Sequence, residues 1–190
     1  MKYYWMSPKE EAIKAVAYTL NNEFLSINII KQLATVDKFP LQMELHSVFV
    51  TDKLIKGELS DDFMDYQPND FGCCSLISSR LKKIIVDNLI GTESLRWISV
   101  IVKGETQSSE YYIPYFSKYL DTLDPLKTVY APVSGVIIKP SFDYEKMKQF
   151  AIFHGQKALY WQMSHSLYVN ETIRHAVQSA KIPGLEFEMI

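Results

Sequence analysis

Leu167-Tyr168-Val169-Asn170-Glu171-Thr172-Ile173-Arg174-His175-Ala176-Val177-Gln178-Ser179-Ala180-Lys181-Ile182-Pro183-Gly184-Leu185-Glu186-Phe187-Glu188-Met189-Ile190 decides the fold. Leu167 to Val169 are bulky and extended-prone, and Asn170 is a good helix cap. Ile173, Ala176, Val177 and Ala180 then recur at i, i+3, i+4 and i+7, the period of a helix with one buried face. Pro183-Gly184 stops that helix. Leu185, Phe187 and Met189 alternate with Glu186 and Glu188, the pattern of a half-buried strand. The stretch predicts strand, capped helix, turn and closing strand, with the chain ending inside the fold.

A weaker echo lies upstream. Around Ser75-Leu76-Ile77-Ser78-Ser79-Arg80-Leu81 a short apolar run meets a Ser pair, and Leu81, Ile84, Ile85 and Leu89 follow at helical spacing up to Gly91. A constant offset of 92 carries Leu81 onto Ile173 and Ile85 onto Val177. So few positions match that chance similarity is preferred to a true repeat.

At 190 residues, 47% hydrophobic and 22% charged, the chain has the composition of one globular unit, expected to run over residues 1–190. A net charge of -2 gives no global electrostatic case for nucleic-acid binding, and no run is long enough to span a bilayer. The start, Met1 to Met6, is too short and polar-flanked for a signal peptide, so a cytoplasmic location is expected. Twelve Tyr, ten Phe and three Trp supply rigid surface for a bulky core or a recognition face. Cys73 and Cys74 are adjacent, poorly placed to bridge each other, and read as buried thiols.

Along the chain, Met1 to Met6 reads as a strand. Ser7-Pro8-Lys9-Glu10 then has the form of a capping box for a helix carrying Ile13, Val16, Ala17, Leu20 and Phe24. Strands are expected between Ser26 and Asp52, broken at Lys38-Phe39-Pro40, and Gly57 to Asp70 reads as an acidic loop. Leu95 to Val102 and Tyr111 to Phe116 form a hairpin, with Pro114 at an edge or strand end. Leu120 to Pro125 is a loop, and Val136 to Ile138 a strand after the Pro132–Gly135 turn. Asp143 to Phe153 fits helix or strand, and Leu159 to Met163 a strand. The class is α+β, a mixed and largely antiparallel sheet with about three main helices in a single compact unit.

No chemistry-bearing signature emerges. His46, His154, His165 and His175 lack metal-site spacing, and the seven glycines form no phosphate loop or nucleophile elbow. No catalytic, cofactor or metal residue is assigned, and no enzyme activity is expected. The partner-binding candidates are Glu58, Asp61, Asp62, Phe63, Asp65, Tyr66 and Asp70, where carboxylates for steering interleave with aromatic anchors. A solvated loop with its aromatics tucked into the core accounts for the same residues. A ligand pocket around Trp97, Tyr112 and Trp161 is the alternative.

Several strings resemble immunity protein family 11 of bacterial polymorphic toxin systems. Leu167 to Val177 is similar to that family's strand and capped helix, and Ile182-Pro183-Gly184-Leu185-Glu186-Phe187 to its finish. Tyr111-Tyr112-Ile113 with Tyr119-Leu120-Asp121-Thr122-Leu123-Asp124 resembles its Tyr-Tyr strand and following loop, and Leu76 to Ile90 its earlier Ser-capped helix. The likeness covers residues 71–190, with Asn170 where Ser is more usual, and residues 1–70 align weakly. It implies a non-enzymatic cytoplasmic antitoxin that neutralises a cognate toxin C-terminal domain, without nucleic acid, membrane or cofactor. A toxin adaptor or chaperone is the neighbouring reading.

Overall fold

The structure, a computed structural model, describes residues 1–9, 15–19, 41–47, 49–50, 53–54, 66–67, 75–104, 106–155, 161–163 and 166–190. Its elements run β1 (Tyr3–Pro8), β2 (Ala15–Thr19), β3 (Leu41–Ser47), β4 (Phe49–Val50), β5 (Lys53–Leu54), β6 (Tyr66–Gln67), β7 (Leu76–Ser78) and α1 (Ser79–Val86). They continue with β8 (Leu95–Lys103), β9 (Ser108–Phe116), β10 (Val129–Tyr130), β11 (Ile137–Lys139), α2 (Tyr144–Met147), β12 (Ile152–His154), β13 (Leu167–Asn170), α3 (Glu171–Ser179) and β14 (Leu185–Met189).

Two larger sheets organise these elements into a compact α+β fold. The first has the order β12-β13-β1-β14 and is antiparallel throughout. Its centre is β1, paired through Tyr4↔Val169 on one side and Tyr4↔Met189 on the other. The second has the order β2-β3-β8-β9-β7-β6, with one parallel pair, β3 with β8. Alternation along β8 buries Ile98, Val100 and Val102 with Ile113 and Tyr111 of β9 and Met43 and Leu45 of β3. The other core lies between the first sheet and the two longer helices, where Met6, Leu167 and Val169 meet Leu81 and Ile85 of α1 and Ile173 and Val177 of α3.

Both helices start as their sequences predict. The Ser78 hydroxyl accepts from the Leu81 amide at 3.1 Å, and the Asn170 side-chain oxygen from the Ile173 amide at 2.9 Å. Each cap satisfies an orphan donor of the first turn, a contribution of about 1 kcal/mol. The two caps keep the offset of 92 seen in the sequence, yet β7 and β13 belong to different sheets.

The end of α3 departs from expectation. Pro183-Gly184 does not stop the helix; Lys181 does, at φ 52°, with its amide donating to Gln178 and the Ile182 amide to Val177. This is the left-handed C-terminal cap that glycine occupies most cheaply. Lys181→Gly should therefore raise stability, by up to about 1 kcal/mol, read as a higher urea midpoint at unchanged slope. An unchanged or lower midpoint would show that the lysine is not strained there.

Other readings are corrected. The helix expected from Ser7 is not formed where the chain is described: β1 runs through Pro8, which pairs with Leu185, and Ala15 to Thr19 form a strand paired with Thr19↔Met43 at one end, while residues 10–14 and 20–40 lie outside the described residues. Cross-strand partners outweigh the local capping pattern, and Ala17 is fully buried beside Leu45. Trp161 to Met163 form a 3-10 turn in place of the expected strand, with Met163 buried against the second sheet. Part of the expected acidic loop is strand, since Tyr66 pairs with Ile77. Asp143 to Phe153 is both of its alternatives in succession, α2 and then β12. Pro114 does not put its strand at an edge of the sheet, since β9 lies between β8 and β7; it is tolerated because the ladder from β9 to β7 stops at Tyr112.

Candidate interaction surface

Of the partner-binding candidates, Glu58, Asp61, Asp62, Phe63, Asp65 and Asp70 lie outside the described residues, as do Cys73 and Cys74. Tyr66 is placed by its backbone in β6. Among the described residues no group of three or more His, Cys, Asp or Glu could hold a metal ion.

Among the described residues the most exposed apolar side chains lie in a stretch whose sequence reads as a turn and short strand. Between Pro125 and Pro140 the chain makes an arm whose only ladder among the described residues is β10 with β11. Leu126 is 94% exposed, Val133 100%, Val136 61% and Ile138 65%. Single exposed apolar residues are ordinary, but here Leu126, Val133, Val136 and Ile138 share one short segment. The tip is a tight turn in which the Gly135 amide donates to Ala131 and the Ala131 amide to Val136, with Gly135 at φ 66°.

The base of the arm is fastened by polar groups. The Thr128 hydroxyl donates to the Ser141 carbonyl at 3.1 Å and accepts from the Ser141 amide at 3.2 Å. Asp124 accepts from the amides of Leu126 and Lys127, and its carboxyl is held below the usual range chiefly by the Leu126 amide and then by Lys127. Lys146 donates to the Asp121 carboxylate at 2.7 Å and to the Leu123 carbonyl at 2.9 Å. Thr128 is buried, so its paired hydrogen bonds are partly shielded from water.

The rings considered as a ligand pocket have their own occupants. Lys82 of α1 places its ammonium 3.4 Å from the centroid of Tyr112 and 5.8 Å from that of Trp97. Glu110 accepts from the Ser99 hydroxyl at 2.8 Å and from Tyr112, and these bonds, Tyr112 first, hold its carboxyl below the ordinary range. Trp161 has other ring neighbours, His154 at 5.0 Å and Tyr119 edge-on at 5.3 Å. Lys82 thus covers two of the three rings with a side chain of the protein itself.

His154 is fully buried, accepts the Leu120 amide at 3.0 Å through Nε2, and faces the Gly155 carbonyl at 2.9 Å through Nδ1. This pattern requires the neutral ring with its proton on Nδ1. Burial pushes its pKa down to about 4, against a partial opposing pull from the Gly155 carbonyl. Above pH 6.5 the ring is neutral folded or unfolded. As pH falls from 6.5 towards 4 only the unfolded chain takes up the proton, so stability falls by roughly 3 kcal/mol over that window. Urea titrations at pH 7 and pH 5 should show the loss, and His154→Phe should flatten it; an equal slope in both proteins would remove His154 as its source.

Comparison with protein-family models and with curated proteins finds no match to this chain. Among the described residues no helix is long and apolar enough to cross a membrane.

Proposed function

We propose that this chain is an immunity protein, a cytoplasmic antitoxin that binds a cognate bacterial toxin domain and neutralises it without catalysis. The observation that carries the reading is the arm between Pro125 and Pro140, with Val133 fully exposed at its tip. An isolated protein gains nothing from holding such side chains in water, whereas a binding protein recovers their burial when the partner arrives. The strings between residues 71 and 190 that resemble immunity proteins support the same reading. Lys82 lying across Tyr112 and Trp97 weighs against a small-molecule pocket there.

The test is co-expression with the variable C-terminal domain of a large toxin encoded beside this chain's gene. Growth should be restored, and the toxin's activity should be lost in the purified complex. A complex in which the toxin stays active points to an adaptor, and no complex with any neighbouring toxin domain sinks the proposal.

A further inference from the structure

We infer that the arm from Pro125 to Pro140 is a preorganised wedge that enters an apolar socket with an acidic rim on the partner, and that Thr128 is the positioning residue that holds it ready. The inference rests on the reading of the partner as a toxin domain. Three observations lead to it. The exposed side chains are aliphatic, and the segment carries Lys127 and Lys139 but no Asp or Glu. Lys127 pairs with Asp124 at 3.2 Å at the base, while Lys139 stands exposed on β11 opposite Val129. An apolar wedge edged by a cation is complementary to a socket edged by carboxylates.

The second observation is a contrast. Strand β14 exposes Glu186 and Glu188, the kind of charge that keeps an edge from pairing with other chains. On β10 and β11 that protection is reduced to Lys139, and Val129 and Ile138 remain exposed. The third is the clamp at the base. Thr128 donates and accepts across to the same residue, Ser141, while the Asp124 amide donates to the Ser141 carbonyl at 2.8 Å. A wedge fixed before contact does not have to be ordered on binding, so the clamp contributes to affinity without touching the partner.

The experiment uses the toxin domain that this chain rescues. A photo-crosslinking amino acid at position 133 should join the two proteins. Val133→Asp with Ile138→Asp should weaken binding by about a hundredfold while leaving the melting temperature unchanged, since both side chains are exposed. Thr128→Val should weaken it about tenfold and speed hydrogen exchange at the Ala131 amide, and Thr128→Ser should restore both. Lys139→Glu should reduce affinity at low salt and lose that effect at high salt.

A complex that forms normally with the double Asp variant, or without a crosslink from position 133, overturns the wedge while leaving the antitoxin reading intact. Thr128→Val that binds as tightly as the parent removes Thr128 from its role. A dimer of the chain alone that Val133→Asp dissociates would put a second copy in the socket's place and overturn the inference. If no toxin domain is bound at all, the functional reading falls and the wedge falls with it.

Discussion

Deleting Leu185 to Ile190 should leave a chain that does not fold. Strand β14 covers one whole side of β1, from Tyr4↔Met189 to Pro8↔Leu185, and the Ile190 amide donates to Tyr3 beyond it. Leu185 is buried and Phe187 packs against the main core. Two apolar side chains of this kind contribute about 2 kcal/mol each, and the lost ladder strands one edge of a central strand. The ladder bonds lost with them contribute about 1 kcal/mol each, so the deletion takes away a share comparable to a total stability of about 5–15 kcal/mol. A truncated protein that stays soluble, keeps its circular dichroism and melts cooperatively would show that the closing strand is dispensable.

Glu93→Ala should be the most damaging single substitution. The Glu93 side chain is buried, and its carboxylate accepts from the amides of Ile90 at 3.0 Å, Gly91 at 2.8 Å and Ala151 at 2.7 Å. It thereby joins the turn after α1 to the start of β12. Hydrogen bonds to a charged acceptor contribute about 1.5–3 kcal/mol each, and truncation leaves the buried Ala151 amide without its acceptor, while the Ile90 and Gly91 amides lie nearer to solvent. A loss of about 4 kcal/mol is expected, a fall in melting temperature on the order of 10 °C at this chain length. Glu93→Gln should lose less, because one carbonyl oxygen survives while its amide group meets a backbone donor. A fall of less than 2 °C in the alanine variant would refute the clamp.

The C-terminal unit was legible because its signals are local. Asn170 caps three residues before the first buried position, and Leu185 to Met189 alternate within a single strand. The start of the chain misled for the opposite reason. Ser7-Pro8-Lys9-Glu10 is a sound helix start in isolation, but Pro8 is tied to Leu185 and the Lys9 amide to the Gly184 carbonyl. Those partners are invisible to a reading by windows, and they decide the outcome. Lys181 is a similar case, since the sequence offered Gly184 three residues on as the natural helix stop.

The arm escaped because sequence shows which residues are apolar but not which are buried. Val136 to Ile138 read as a strand, which the fold places one residue on at Ile137–Lys139, and the obvious inference was that such residues join a core. Two signals were available: prolines at 125, 132 and 140 divide the segment from its surroundings, and no acidic residue falls between them. Exposure itself required the fold, which among the described residues gives β10 and β11 only each other.

The central position of β1 also fixes a timetable. A ribosome makes Tyr3 to Pro8 well before the neighbours on both sides, β13 and β14, which are not synthesised until after Ser166. Until then β1 has neither of its pairing strands, and the sheet closes only by joining the most distant parts of the chain. Such non-local closure is slow. The register of β1 is thus settled by a segment made long after it, so the first sheet forms only once Leu167 to Met189 have followed.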